Sequence, residues 1–242
     1  ILIFTPDART PLPYATRYDA TVDAPAAAVS GRTLGAPYTF SFTTPTVKLL
    51  RTETYRRGGR ADAPFVVLLR FNQAVDRADV AAALAAKFEA HSWDQPSISS
   101  AAQQRLAAID PTSVERFNAK VAATRAAVAF TTPVALRLTN DWDKKRYPPH
   151  PTLVAFETVT RVPSQSWVKL TLGATVKSPA GPATPGRVQE YTLKAEPALF
   201  VWGFDCTATC DPDNRNPLAF HTPVRVSEFA KSLRVTDVTT GA

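Results

Sequence analysis

FSFTTP at Phe40–Pro45, VVLLRF at Val66–Phe71 and NQAVDRADV at Asn72–Val80 are the runs on which the reading of this 242-residue chain turns. Alternating aromatics in the first are the pattern of a half-buried closing strand, and the apolar second suits the opening strand of a next module, with a turn after it. The series returns as EYTLKAEP at Glu190–Pro197, LAFHTPV at Leu218–Val224 and SEFAKSLRV at Ser227–Val235. Phe71 and Phe220 are 149 positions apart, and so are Val75 and Val224. Phe229 and Leu233 fall in places comparable to Val80 and Leu84. A constant separation of this kind marks an array of repeated units. We therefore expect one junction between modules, occurring twice, in a chain that serves as framework.

Composition supports short strands: 21 prolines and abundant Val, Thr and aromatic residues favour strands joined by Pro-marked turns. The length allows one or two domains with cores of their own. There is no methionine, and the chain opens on ILIFTP, which reads as an interior strand, so we expect an excised or processed piece of a longer protein. No apolar run approaches about 18 residues, so no signal peptide or membrane span is read and no direct membrane insertion is expected. The net charge of +7 raises the question of nucleic acid. Its densest groups are only Arg56, Arg57, Arg60 and Lys144, Lys145, Arg146, on loops and without interleaved aromatics, so no nucleic-acid partner is expected.

Along the chain, Ile1–Phe4, Tyr14–Val22 and Tyr38–Phe42 read as strands separated by turns at Ser30-Gly31 and Gly35. Val47–Thr54 and Phe65–Phe71 follow as strands around an Arg56–Pro64 turn. Asp76–Phe88, with Val80, Leu84 and Phe88 four apart, reads as a helix. Between about 90 and 130, Ser99 or Ser100 caps one helix, and Asp110-Pro111 caps a second that carries Val114, Phe117, Val121 and Val128 on one face. Strands resume at Val134, Thr152, Trp167 and Tyr191, the Pro/Gly-rich Ser178–Gly186 being loop.

The fold expected is all-β: tandem immunoglobulin-like β-sandwich modules, the middle one with a two- to three-helix insertion at about 90–130. Residues 1–46 are part of a first module, 47–196 a second, and 197–242 the start of a third.

Chemistry is sparse. Cys206 and Cys210, in CTATC, have no other cysteines near, which favours a local disulfide and an exported protein over two free thiols or a zinc site. His91, His150 and His221 lie in unrelated contexts, and no nucleophile-elbow, phosphate-loop or dinucleotide motif occurs. No catalytic residue and no cofactor is therefore expected. Asp141 with Asp143, and Asp205 with Asp211 and Asp213, are loop carboxylates that calcium would suit, though neither group follows the twelve-residue loop pattern, and no metal is assigned. Trp167 and Trp202 read as core; Trp93 lies in a separate element, and Trp142, in a charged loop, as the aromatic whose exposure matters.

Leu2–Pro45 carries L-x-F-T-P, A-T-R-Y-x-x-x-V, S-G-R-T-L and Y-T-F-S-F-T-T-P, followed by F-x-x-x-V at Phe71 and Val75. This series resembles the immunoglobulin-like, macroglobulin-type modules near the N-terminus of the bacterial α2-macroglobulin family. The likeness covers about the first 90 residues well and the last 80 loosely. It implies a non-catalytic structural segment of a large exported protease inhibitor, in the periplasm or cell envelope, that traps foreign proteases. Its partners would be neighbouring modules of the same long chain and, through the whole protein, proteases. The family's Cys-Gly-Glu-Gln thioester has no counterpart here, so no reactive residue is carried over. The alternative is a stalk module of a bacterial adhesin or surface-layer protein.

Overall fold

The computed structural model describes residues 9–109, 111–204, 213, 218–220 and 223–236. Within them the chain divides into two compact units.

The larger unit draws on Ile1–Glu89, Thr131–Val162 and Trp167–Lys194. Its centre is a four-stranded antiparallel sheet of β3 (Leu49–Arg56), β4 (Phe65–Phe71), β7 (Leu153–Thr158) and β6 (Leu136–Leu138), in the order β3-β4-β7-β6. β4 and β7 are central and almost continuously apolar, and they are buried along nearly their whole length. One face of this sheet packs Val66, Leu68, Leu153 and Ala155 beneath Tyr147, with Tyr55 and Trp142 alongside. The other presents Val67, Leu69, Phe71, Val154 and Phe156, all buried. A second sheet, β5 (Leu84–Glu89), β8 (Trp167–Leu172) and β9 (Gln189–Lys194), buries Phe88, Val168, Leu170, Leu172 and Leu193. It meets the first where the Tyr191 hydroxyl donates to Leu49 O at 2.5 Å and the Gln189 amide bridges Leu49 N and Val47 O. A ribbon of β1 (Arg17–Val22) and β2 (Tyr38–Thr43) forms a sheet by itself.

Helix α1 (Arg77–Ala83) starts at Asp76, whose carboxylate accepts from Ala78 and Asp79 N–H. The helix expected over Asp76–Phe88 stops at Ala83. Leu84–Glu89 is instead extended and pairs with β8, Leu84 opposite Leu172 and Phe88 opposite Val168. Leu84, Ala86 and Phe88 fit a period of two as well as Val80, Leu84 and Phe88 fit a period of four, and the available ladder decides.

The second unit comprises Ala90–Phe130, Pro163–Ser166 and Ala195–Ala242. α2 (Ser100–Ile109), with the Ser99 hydroxyl accepting from Ala102 N–H, and α3 (Pro111–Val128), which opens on a proline, form over Ala-rich sequence. Val121 of α3 packs with Ala198 and Phe200, flanked by Phe117 and Trp93. The hairpin β10 (Val201–Phe204) with β11 (Leu218–Phe220), and α4 (Val226–Ser232), complete the unit.

The expectation of an all-β chain of immunoglobulin-like sandwiches is overturned. The fold is mixed α/β, 21% helical and 30% strand, with four helices and sheets of only two to four strands among the described residues. Prolines, valines and threonines set the tone of the composition, whereas Ala-rich segments between capping residues carry the helices.

Sequence separation is kept in the structure. α1 and α4 are both seven residues long, and each lies 149 positions from the other's equivalent residue. Each follows an antiparallel hairpin whose second strand ends on Phe71 or Phe220.

Candidate functional site

Two features of the larger unit stand out chemically: the β1–β2 ribbon and the joint from which it springs. Register pairs Tyr18 with Phe42, Ala20 with Phe40 and Val22 with Tyr38 on one face, and Arg17 with Thr43, Asp19 with Ser41 and Thr21 with Thr39 on the other. Period-two alternation thus separates an apolar face from a polar one completely. On the polar face, the Ser41 hydroxyl donates to Asp19, the Arg17 guanidinium donates to Ser41, and Thr21 and Thr39 share a hydrogen bond. On the apolar face, Tyr18 stacks on Phe42 at 5.4 Å, and Phe40 lies between Phe42 and Tyr38 at 6.4 and 6.3 Å. That face is uncovered: Tyr38 is 60% exposed, Phe40 47% and Val22 41%. The four rings make one contiguous exposed apolar patch.

The ribbon's root is built from buried polar groups. Ala15 is wholly buried with φ of +51°; its N–H donates to Pro45 O at 3.0 Å, and its carbonyl accepts from Ala183 N–H at 2.7 Å. Thr44 N–H donates to Thr16 O, while the Thr44 hydroxyl accepts from Thr16 N–H. Buried Gln73 donates to Pro45 O at 3.1 Å and accepts from the Ser178 hydroxyl at 2.6 Å. Asn72 clamps the next step, donating to Thr46 O and accepting from Lys48 N–H. Gly181 closes the joint: a Cβ there would overlap Ala15 O and come within 2.5 Å of Tyr14 O and Thr16 Oγ1. Satisfied buried networks of this sort hold one geometry in preference to others.

The same root occurs again. Gln165 has φ of +71°, its N–H donates to Glu196 O at 2.8 Å, and Ala195 N–H donates to Ser166 O at 2.9 Å. Gly35 and Gly186 both have positive φ and donate to Ala24 O and Ala174 O. Ala15, Thr16 and Ala24 thus correspond to Gln165, Ser166 and Ala174 at 150 positions, and Gly35, Thr44 and Pro45 to Gly186, Ala195 and Glu196 at 151. The ribbon β1–β2 is accordingly the counterpart of the hairpin β8–β9. From sequence Gly35 reads as a turn and Ser178–Gly186 as a loop, but Ala15, Gln73 and Gln165 carry no reading of their own, although Pro13-Tyr14-Ala15-Thr16 and Pro163-Ser164-Gln165-Ser166 share a signal: proline, and three residues on a hydroxyl.

Charged groups in the larger unit are tied into its framework. Glu157, buried in β7, accepts from Arg137 at 2.9 Å and from Arg57 at 3.1 Å, and Arg57 also pairs with Asp141. Burial alone would raise the Glu157 carboxyl; the hydrogen bonds from Arg137 and Arg57, with their charges, outweigh it and hold the group below the ordinary carboxylate range. Arg56, expected on a loop in a basic group, instead ends β3 and is buried, donating to Val162 O and Ala63 O with its guanidinium over Phe65.

The other sequence candidates are dispersed. Asp141 is taken by Arg57, and the Asp143 carboxylate accepts from Arg146 N–H. Among the described residues no group of three or more His, Cys, Asp or Glu is placed to hold a metal ion. His91 bonds Ser92 O and Gln165 O, and His150 bonds Thr152. Trp142 is half-buried and donates to Tyr147 O, Trp167 lies under Lys194, and Trp93 stacks on Phe200. Cys206, Cys210, Asp205, Asp211, His221 and the Trp202 side chain lie outside the described residues. No helix among the described residues is long and apolar enough to cross a membrane.

Neither the comparison with family models nor that with curated proteins finds a match to this chain.

Proposed function

We propose that this chain is a non-catalytic framework segment of a large exported bacterial protein, and that its work is to hold successive parts of one polypeptide at fixed angles. The observation that carries this is the duplicated root: a strained residue at Ala15 and at Gln165, each closed by the same two backbone hydrogen bonds. Strain persists where surrounding structure over-determines it, and its recurrence 150 positions on supports a framework whose product is position. The resemblance of Leu2–Pro45 to the bacterial α2-macroglobulin family supplies the parent: a protease trap of the periplasm or cell envelope. A bond between Cys206 and Cys210 would suit that compartment.

Protease capture by a polypeptide that includes this segment is the test. A trapped protease should still cleave a small chromogenic peptide while losing access to a large protein substrate. Gly181→Val, which displaces the root, should lower the fraction captured several-fold. Unimpeded cleavage of the large substrate would refute the trap, and the stalk of an adhesin or surface-layer protein, built on the same repetition, would take its place.

A further inference from the structure

We propose that the cavity between α2, α3 and the Leu199–Val201 segment binds a medium-length aliphatic carboxylate, its chain among the apolar side chains and its head group at Lys120. Val114, Phe117, Val121 and Val128 recur along one face of α3, and that face is covered at one end only. Val121 and Val128 are buried, Val121 against Ala198 and Phe200. Val114 and Phe117 are half-buried, and with Leu106 of α2 and Leu199, Phe200 and Val201 they line a cavity of about 300 Å³. An apolar cavity of about 150 Å³ takes one benzene ring, so twice that volume takes an aliphatic chain of about eight to ten carbons. Small-molecule sites begin at about this size.

Charge selects the head group. Arg116 and Lys120 both line the cavity and stand one turn apart on α3, a spacing at which like charges repel. The Arg116 guanidinium donates to the Thr112 hydroxyl at 2.8 Å. The Lys120 ammonium lies 5.5 Å over the ring of Phe200, which is 1% exposed, and has no carboxylate partner among the described residues. No Asp or Glu is among the described residues of the lining. A carboxylate beside Lys120 offsets the repulsion along α3 and accepts a charge-assisted hydrogen bond from the ammonium. Ser113 is the one uncharged polar residue of the described lining, which is too little to satisfy the amides of a peptide. A hydrocarbon chain needs no such partners. The site lies wholly within the second unit, so it stands or falls apart from the framework role and from the identity of the parent protein.

Amide NMR shifts of the isotope-labelled whole chain, titrated with octanoate, octan-1-ol and octyltrimethylammonium, test it. Octanoate should saturate with a Kd of about 0.1–3 mM and move the amides of α3 and of Leu199–Val201. It should bind at least about fivefold tighter than octan-1-ol, and the cation should bind more weakly than either. Lys120→Met should bring octanoate down to the affinity of octan-1-ol and leave that of octan-1-ol unchanged. Leu106→Trp, which fills the cavity, should abolish binding of both; Val114→Trp serves as the second filling change should Leu106→Trp loosen α2. A wild-type chain whose α3 amides do not respond to octanoate up to about 10 mM overturns the proposal. So do equal affinities for the three probes, the mark of an apolar cavity without a head-group site, or a Lys120→Met chain that keeps the preference for octanoate. Octanoate binding that survives both filling changes places the ligand elsewhere and overturns it as well.

Discussion

Ala15 and Gln165 stand 150 positions apart and share one backbone conformation, with φ of +51° and +71°. They are the non-glycine residues of positive φ among the described residues. Each donates its N–H to a carbonyl about 30 residues on, Pro45 and Glu196, at the foot of an antiparallel hairpin. A side chain in the left-handed region costs about 1–2 kcal/mol, which makes these positions readable by mutation.

Ala15→Gly should relieve that cost and raise stability by about 0.5–1 kcal/mol, the gain reduced by glycine's freedom in the unfolded chain. Ala15→Val, a branched residue at the same φ in a site with no exposed surface, should lower it by more than about 2 kcal/mol. Gln165→Gly should gain less than Ala15→Gly, because the Gln165 side chain also accepts from Ala198 N–H at 3.2 Å. Urea midpoints of the three variants give the order; a destabilising Ala15→Gly would mean that the root is not strained.

Gly181 and Gly173 separate two kinds of glycine. A Cβ on Gly173 would meet Ala83 O at 3.3 Å, a contact the neighbour can relieve by a small shift. On Gly181 it would overlap three groups of the Tyr14–Thr16 segment, two of them backbone. Gly181→Ala should therefore cost about 2–3 kcal/mol and Gly173→Ala under about 1. Hydrogen exchange at Ala183 N–H, which bonds Ala15 O, should accelerate in the first and not in the second.

Much of this architecture was legible locally. Alternation placed β1 and β2, a nearly continuous apolar run placed β4, and capping residues placed α2 and α3. The 149-residue separation of Phe71 and Phe220 anticipated the likeness of α1 and α4. Two things were not legible. Leu84–Glu89 satisfies helix and strand periods alike, and only its pairing with β8 chooses. Ala15, Gln73, Ser178 and Gly181 meet across long separations, the Ser178–Gln73 bond alone spanning 105 residues, and no local pattern encodes such a meeting. The all-β expectation failed for a related reason: Pro- and Val-rich strands dominate by composition, while Ala-rich helices are signalled only by their caps.

Glu157 makes stability depend on pH. Its carboxyl is held below the ordinary value in the folded chain, so it binds fewer protons folded than unfolded. Its contribution is fully present above the unfolded value of about 4.3 and is lost as pH falls through the lower folded one. Glu157→Gln should cost about 1–3 kcal/mol at neutral pH, since it removes the charge that Arg57 and Arg137 face. It should also flatten the stability curve between about pH 5 and 3. Equal slopes for wild type and variant in that window would exclude this carboxylate as the source.

Ser166 is the counterpart of Thr16, yet the two hydroxyls differ. Thr16 Oγ1 donates to Tyr14 O at 3.0 Å, whereas Ser166 is wholly buried and its Oγ has no hydrogen-bond partner among the described residues. A buried hydroxyl that loses water and gains nothing costs about 1–3 kcal/mol. Ser166→Ala deletes that group and leaves the Ala195 N–H to Ser166 O bond in place. It should stabilise the chain by about 0.5–1.5 kcal/mol, while Thr16→Ala should destabilise it by a similar amount. Opposite signs at equivalent positions would show that the two roots share a backbone design and differ in how far their side chains have been fitted to it. A destabilising Ser166→Ala would show instead that the hydroxyl has a partner in solution, a bound water first among them.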